Sequence, residues 1–188
     1  MFDILQIIFW AITYLLLITD SLKNKTRPFI PALAVVLNFA WEAAAFTYDL
    51  TRGGLLWAHA LWLGLDVVIV CLMAKYRNGK KRLLFLLLLL FTSIALIVSF
   101  QLWNIHLISV FTIDLIMAIA FLVELTRGGT INLLRCVISF TKLLGDLFAW
   151  IYYREQSTVV NYIGAIVLLI NLFHFAFALM VRKGKNAS

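Results

Sequence analysis

The stretch "LLFLLLLLFTSIALIVSF", residues 83–100, decides the fold, because it contains no charged side chain and has only Thr92, Ser93 and Ser99 as polar residues. A helix needs about 20 apolar residues to cross the hydrocarbon core of a membrane. Strands of a membrane barrel alternate apolar and polar residues, which this leucine-rich run does not do. The stretch therefore predicts a helix that crosses a membrane.

The rest of the chain repeats this pattern. Of its 188 residues 64% are hydrophobic, and the mean hydropathy is +1.00. Seven spans are predicted, at residues 2–19, 28–48, 55–74, 83–101, 105–125, 131–153 and 159–181. The connections are too short to hold a soluble domain. We therefore expect an all-α polytopic membrane protein, a seven-transmembrane-helix bundle that forms a single transmembrane domain over residues 1–188.

The net charge of +7 is unevenly distributed. Cations on one side of the predicted bundle are Lys23, Lys25, Arg27, Lys75, Arg77, Lys80, Lys81, Arg82, Arg127, Arg182, Lys183 and Lys185. Connections on the other side carry only Arg52 and Arg154. The positive-inside rule then predicts an N-terminus outside and a C-terminus in the cytoplasm. The charge indicates topology, and we expect no nucleic-acid partner.

Localisation follows from the same spans. We expect an integral membrane protein, in the cell membrane of a bacterium or the endoplasmic reticulum of a eukaryote. The first span has no basic stretch before it and no small-residue cleavage site after it, so we expect it to be retained.

A short motif occurs twice, as "DLTRGG" at 49–54 and "ELTRGG" at 124–129. The copies lie three predicted helices apart and so face opposite sides of the membrane, as in the inverted repeats of many transporters. The simpler interpretation is a good turn, in which glycine supplies positive φ and arginine lies at the interface.

Polar residues within the spans fall on narrow helical stripes. Asn38 and Glu42 are four residues apart in the second span, and His59, Trp62 and Asp66 share one face of the third. Intramembrane charges usually face the bundle interior or a cavity. These stripes predict a polar chamber inside the bundle.

The sixth span places Lys142 and Asp146 one turn apart. Counted at about 1.5 Å per residue, Glu42 and Asp146 reach similar depths. Asp66 and Asp114 lie nearer the middle, where Lys142 is well placed to pair with one of them, and Asp146 is one turn beyond Lys142. The sequence leaves open which of the three carboxyl groups is the partner of Lys142.

Packing alone could explain part of this pattern, since buried polar residues also hold helices together. It is the favoured explanation for Asn38, Ser139, Asn171 and His174. Arg135 and Glu124 are expected to reach the interface, and tryptophans near span ends, such as Trp10 and Trp150, fit an aromatic belt.

Glu42, Asp66 and Asp146 are harder to explain by packing, because carboxyl groups outnumber cations at depth. A buried carboxyl without a partner stays protonated at neutral pH and is then a Brønsted acid. Such an acid can protonate an alkene or an epoxide, and aromatic faces such as those of Trp41 and Trp62 stabilise the resulting cation.

Other chemistries lack their motifs. The sequence has no His or Cys pair at zinc spacing, no P-loop or dinucleotide fingerprint, no GxSxG elbow and no DDxxD cluster. We therefore predict neither a metal site nor a cofactor.

A small seven-span protein with "NFAWE" at 38–42 resembles the integral-membrane terpene cyclases of fungal meroterpenoid and indole-diterpene pathways and their bacterial relatives. "LWLGLDVVI" at 61–69 and "LLGDLFAWIYY" at 143–153 look similar to later acidic positions of that family. The resemblance implies class II-like, metal-independent chemistry, in which a carboxylic acid protonates a polyprenyl chain and rings close in sequence. The implied partners are membrane lipid and a lipophilic polyprenyl or meroterpenoid substrate that enters sideways between helices.

The cyclase function implied by the resemblance assigns roles to the polar residues of the helical stripes. Glu42 is the expected acid, Asp146 a second acid or final base, and Asp66 a residue that orients groups or tunes the acid through His59 or Lys142. The remaining candidate substrate-binding residues are Asn38, Trp41, His59, Trp62 and Trp150.

Two alternative functions remain open from the residues alone. A small proton-coupled secondary transporter would suit the midplane charges and the repeated motif, although the spans lack the paired Gly or Pro breaks of discontinuous helices. A non-enzymatic membrane subunit would match its charges with those of a partner.

Overall fold

A computed structural model describes residues 2–103, 106–126 and 132–186. These residues form seven α-helices: α1 (Phe2–Asn24), α2 (Ala32–Arg52), α3 (Leu56–Lys75), α4 (Gly79–Trp103), α5 (His106–Thr126), α6 (Leu133–Tyr153) and α7 (Thr158–Asn186). The all-α prediction is confirmed. Arg127 and the end of the second Thr-Arg-Gly-Gly copy lie outside the described residues.

Six of the helices form a ring. In order around it, α1 packs against α3, α3 against α2, α2 against α5, α5 against α7, α7 against α6, and α6 against α1. The polar stripes of these helices turn toward the interior, where Glu42, Asp66, Asp114 and Asp146 are all buried. The chamber expected from the stripes is therefore present.

The fourth helix lies outside this ring. It packs mainly against α2, and its leucine-rich surface is left uncovered; Leu83 is 60% exposed and Phe91 67%. Such a surface is stable only in an apolar environment, which a lipid bilayer supplies.

Four helices are long and apolar enough to cross a membrane, judged by length and composition within the described residues: Asp3–Asn24, Leu56–Lys75, Gly79–Leu102 and Thr158–Arg182. Polar residues lower the hydropathy of α2, which contains Asn38 and Glu42, and of α6, which contains Lys142 and Asp146. That all seven helices cross the membrane, with the N-terminus outside, stays a prediction.

The second helix begins and ends about four residues later than the predicted span. Pro31 is its N-cap, with φ −63° and ψ 147°, because proline lacks the N–H group that a helix interior needs. At the other end the helix continues through Asp49 to Arg52 and ends at Gly53, which has φ 78°. Positive φ is easy for glycine, so the first Gly-Gly pair makes the turn expected from its sequence.

Ion pairs hold the helices together at the end of the bundle opposite to the Gly53 turn. Arg135 contacts Asp20 at 3.2 Å, and Arg27 pairs with Glu124. Arg135 thus pairs with α1, and Glu124 pairs with Arg27 in the connection between α1 and α2. That Arg135 and Glu124 also reach the membrane interface stays a prediction.

Candidate active site

A cavity among α1, α2, α3 and α5 contains the acid that the sequence singled out. The space not filled by atoms, including the open mouth, is about 410 Å³. The lining is mostly aromatic or polar: Gln6, Trp10, Tyr14, Asn38, Trp41, Glu42, Trp62, Val110, Ile113 and Asp114. We call this space the Glu42 cavity.

Glu42 is held by His59. Its Oε2 lies 3.0 Å from His59 Nδ1, and the two residues are only 4% and 6% exposed. Within the described part of the chain, Glu42 makes no other side-chain hydrogen bond, and Glu42 lines the cavity. One oxygen of the carboxyl is therefore oriented by the imidazole while the other is available for a ligand.

Asn38 links three helices beside Glu42. Its Nδ2 donates to Tyr14 Oη at 2.6 Å and to Asp66 Oδ2 at 2.7 Å. Asp66 was expected to orient groups or to tune the acid through His59 or Lys142, and its side-chain contact runs through Asn38 to Tyr14. This link is possible because α3 packs against both α1 and α2.

Acidic groups dominate the electrostatics of the cavity. Glu42 and Asp114 line it, and Asp66 lies one hydrogen bond away behind Asn38. No Lys or Arg is among the lining residues of the described chain. Carboxylates this close in a low-dielectric interior cannot all be ionised, so at least one of them holds a proton.

Tryptophan rings surround the acid. Trp41 and Trp62 flank the His59 ring, with centroids 5.4 Å and 5.6 Å from it. Trp41 is fixed by donating its indole N–H to Ser109 Oγ at 3.0 Å. Their faces can stabilise a cation formed near Glu42.

The sixth helix carries a buried charge pair behind the cavity. Lys142 Nζ donates to Asp146 Oδ2 at 2.7 Å and to Asn171 Oδ1 at 3.2 Å, and Asn171 also donates to Asp146. Of the three carboxyl groups that the sequence left open as partners of Lys142, Asp146 is the one that its ammonium group contacts. Lys142 and Asp146 are four residues apart, the spacing at which helical side chains meet most easily.

Trp10 separates this pair from the cavity. It lines the cavity, is 7% exposed, and has the ammonium group of Lys142 5.2 Å from its ring centroid. Trp10 is thus an interior residue and does not belong to an aromatic belt. Asp146 does not line the cavity, so the expected acids Glu42 and Asp146 share the interior but are separated by an indole ring.

Gly145 makes room for Trp10. A Cβ atom at this position would lie 2.8 Å from Trp10 Cδ1, too close for carbon atoms. We expect Gly145→Ala to lower the free energy of unfolding by about 1–3 kcal/mol and to reduce activity, because overpacking displaces Trp10. Unfolding in mixed detergent micelles and product formation measure the two effects.

The matched control for this prediction is Gly64→Ala, because a Cβ there meets no atom within 4 Å. It should leave stability and activity near wild type. Equal behaviour of the two alanine variants would contradict the close packing between α1 and α6.

Trp150 lies outside the Glu42 cavity and joins α6 to α7. Its indole N–H donates to the Asn161 side chain at 3.0 Å, and the ring packs over Gly164 on α7. It is absent from the lining of the Glu42 cavity. Of the candidate substrate-binding residues, Asn38, Trp41 and Trp62 line the cavity, His59 holds Glu42, and Trp150 joins α6 to α7.

Sequence reasoning missed the contribution of α1. Gln6, Trp10 and Tyr14 are spaced four residues apart and all line the cavity. This spacing puts the three side chains on one helical face, which is the signal that could have identified them. Asp114 was noticed for its depth but was not given a role.

No group of three or more His, Cys, Asp or Glu side chains could hold a metal ion among the described residues. The functional groups around the cavity are carboxyl, amide, phenol and indole. These groups can move protons, orient a ligand by hydrogen bonds and stabilise positive charge.

Comparison with known proteins adds one match. Residues 1–136 match the Pyr4-like transmembrane terpene cyclases. Neither the curated proteins nor the solved structures include a match to the chain. The matched residues contain every residue that lines the Glu42 cavity, whereas the Lys142–Asp146 pair lies beyond them.

Proposed function

The chain belongs to the Pyr4-like transmembrane terpene cyclases, and on that premise we propose that it cyclises a polyprenyl chain by donating a proton from Glu42. The family makes the protein a membrane enzyme with a polyprenyl substrate. The proton-initiated, class II-like and metal-independent mechanism is the proposal. So is a single transmembrane domain over residues 1–188, since α6 and α7 pack against α1 and α5.

One observation carries the proposal. Glu42 lines an aromatic cavity and has one carboxyl oxygen bonded to His59, while the other makes no hydrogen bond within the described chain. Asp114 also lines this cavity, Asp66 lies behind Asn38, and no Lys or Arg of the described chain is in the lining, which favours a carboxyl that keeps its proton. This is the environment that a general acid needs.

The first chemical step breaks the O–H bond of Glu42. With an alkene substrate the π electron pair forms a new C–H bond and leaves a carbocation. With an epoxide the proton goes to oxygen, and a C–O bond breaks as the next double bond attacks. Each later double bond then closes a ring, while Trp41 and Trp62 stabilise the cation.

The last step removes a proton from the final cation and leaves a C=C bond. Asp114 is the proposed base, because it lines the cavity and Asp146 stands behind Trp10. Asp146 then has a positioning role in which it and Lys142 support Trp10. The product is an isomer of the substrate, since one proton enters and one leaves.

A groove offers the substrate a route from the membrane. It lies among α2, α4 and α5, has about 1120 Å³ of space including its open side, and is lined by Leu37, Phe91, Thr92, Ala95, Leu96, Ile108, Ser109, Thr112 and Ile113. Ile113 also lines the Glu42 cavity, and Ser109 holds Trp41. A polyprenyl chain in this groove is therefore one side chain away from the acid.

Ile113→Trp should close this route. We expect kcat/KM to fall by about tenfold or more with a smaller change in kcat, because entry is hindered before chemistry begins. The measurement is steady-state cyclisation in nanodiscs. Ile119→Trp is the control, on the same helix and 47% exposed; an equal loss in both variants would contradict the route.

The proposed activity is tested by supplying purified protein in nanodiscs with polyprenyl substrates of several lengths and head groups, with and without a terminal epoxide. The expected result is a cyclic product that has the mass of its precursor and is absent from empty nanodiscs. Release of diphosphate during ring formation would contradict a proton-initiated reaction.

A further inference from the structure

Asp49 is a buried carboxyl that the cyclisation mechanism leaves unused. It is 8% exposed, and its Oδ2 makes no hydrogen bond within the described chain. That oxygen lies 3.7 Å from Nε2 of His59, whose other ring nitrogen contacts Glu42 at 3.0 Å. The three groups thus form a row of carboxyl, imidazole and carboxyl that ends at the proposed acid.

We propose that Asp49 and His59 form a proton relay that recharges Glu42 between turnovers. The inference rests on the proposed function, in which Glu42 gives up its proton at the start of each cycle. Because the final proton goes to a different base, Glu42 is left as a carboxylate and must receive a proton from elsewhere.

The proton balance of the relay closes within these groups and water. The Nδ1 proton of His59 moves to Glu42 Oε2 as Nε2 accepts the proton of the Asp49 carboxyl, and water then protonates Asp49. Rotation of the Glu42 carboxyl presents the new O–H to the cavity. The imidazole regains its Nδ1 proton by exchange with water, which gives a proton to Nδ1 and takes one from Nε2. The proton that Asp114 accepted from the final cation returns to water, so one proton enters and one leaves in each cycle. The 3.7 Å gap must shorten by about 1 Å for transfer, as catalytic contacts do on closure.

The Asp-Leu-Thr-Arg-Gly-Gly turn explains how Asp49 is held. The Gly53 N–H donates to the Asp49 carbonyl at 2.9 Å, and the backbone of Gly54 packs on the Asp49 side chain. A Cβ at Gly54 would clash with Asp49 Oδ1, and Gly54 has φ 157°. The second glycine of the motif therefore leaves space for the carboxyl that faces His59.

The relay takes its protons from the end of the bundle at which α2 turns into α3. A second cavity, with about 430 Å³ of space including its mouth, is lined by His59, Asp3, Leu55 and Tyr153, among others. Asp3 is in the first turn of α1, and Leu55 follows the Gly-Gly turn. Trp41 and Trp62 line both cavities and stand between this end and the substrate. Protons can thus reach His59 without crossing the space that holds the cation.

The test separates the first turnover from later ones. Asp49→Asn is purified with Glu42 protonated and mixed with excess substrate. We expect a burst of about one product per protein at a rate within about twofold of wild type, followed by a steady rate reduced about tenfold or more.

Glu155→Gln is the control, an exposed carboxyl in the α6–α7 turn at the same end of the bundle. It should retain wild-type burst and steady rates. Burst and steady rates that fall together in Asp49→Asn would overturn the relay, and so would a steady rate equal to wild type. If wild-type protein forms no cyclic product, the proposed function itself fails, which is a different result.

Discussion

Glu42→Gln is expected to lower the rate of cyclisation by at least about 10²-fold while leaving the protein folded. Glutamine has nearly the same shape and can still accept a hydrogen bond from His59, but it has no acidic proton to donate. The measurement is product formed per unit time by purified protein in nanodiscs. Glu42→Asp should retain part of the activity, because the acid is kept while its position shifts.

The matched control is Asp20→Asn, a buried carboxyl that pairs with Arg135 at the far end of α1 and does not line the cavity. This variant tests whether loss of any buried carboxyl has the same effect. A Glu42→Gln protein that cyclises at the wild-type rate would exclude Glu42 as the acid.

Lys142→Met is expected to cause the largest loss of stability, about 3 kcal/mol in the free energy of unfolding. Lys142 is 1% exposed and is the cation held between Asp146 and Asn171. Removing it leaves a buried carboxyl without its charge partner. Unfolding by a denaturing detergent, followed by circular dichroism, measures the change.

The double variant Lys142→Met with Asp146→Asn should recover part of this loss, because the uncompensated charge is removed and two amides can then bond to each other. Lys80→Met, an exposed lysine at the start of α4, is the control and should unfold like wild type. A double variant that loses the full sum of the two single effects would contradict the pair as the source of the stability.

The helical period was sufficient to predict the acidic face of the site. Asn38 and Glu42 are four residues apart, and His59 and Asp66 are seven apart, so regular helices put each pair on one face. The energy needed to bury polar groups in a membrane then requires that these faces meet. Burial of all four residues follows from the sequence for that reason.

The partners of these groups could not be derived in the same way. Which helices are neighbours depends on packing across the ring, and periodicity within one helix carries no such information. Asp66, Asp114 and Asp146 were all open as partners of Lys142, and Lys142 contacts Asp146 on its own helix. Trp10 was expected at an interface because it lies near a span end, yet Gly145 lets it pack inside.

The position of α4 in the bundle also could not be predicted from its sequence. Its apolar sequence identifies a membrane helix. It does not show which helices α4 packs against, because every face of α4 is equally apolar. Packing against α2 leaves a groove beside α5, and this groove gives the proposed route for a lipid-soluble substrate. In the proposed mechanism the substrate enters from the membrane, and protons enter at the end of the bundle where α2 turns into α3.

The most direct test of the central claim is cyclisation in D₂O, with the alkene substrate and its epoxide as parallel reactions. In D₂O the Glu42 carboxyl carries deuterium. If it starts the reaction, the product of the alkene substrate should carry one deuterium on carbon. The product of the epoxide should carry its deuterium on oxygen and lose it when the product is returned to H₂O. If the cyclic product of the alkene substrate carries no deuterium on carbon, this result would contradict initiation by a proton and the role of Glu42 as the acid.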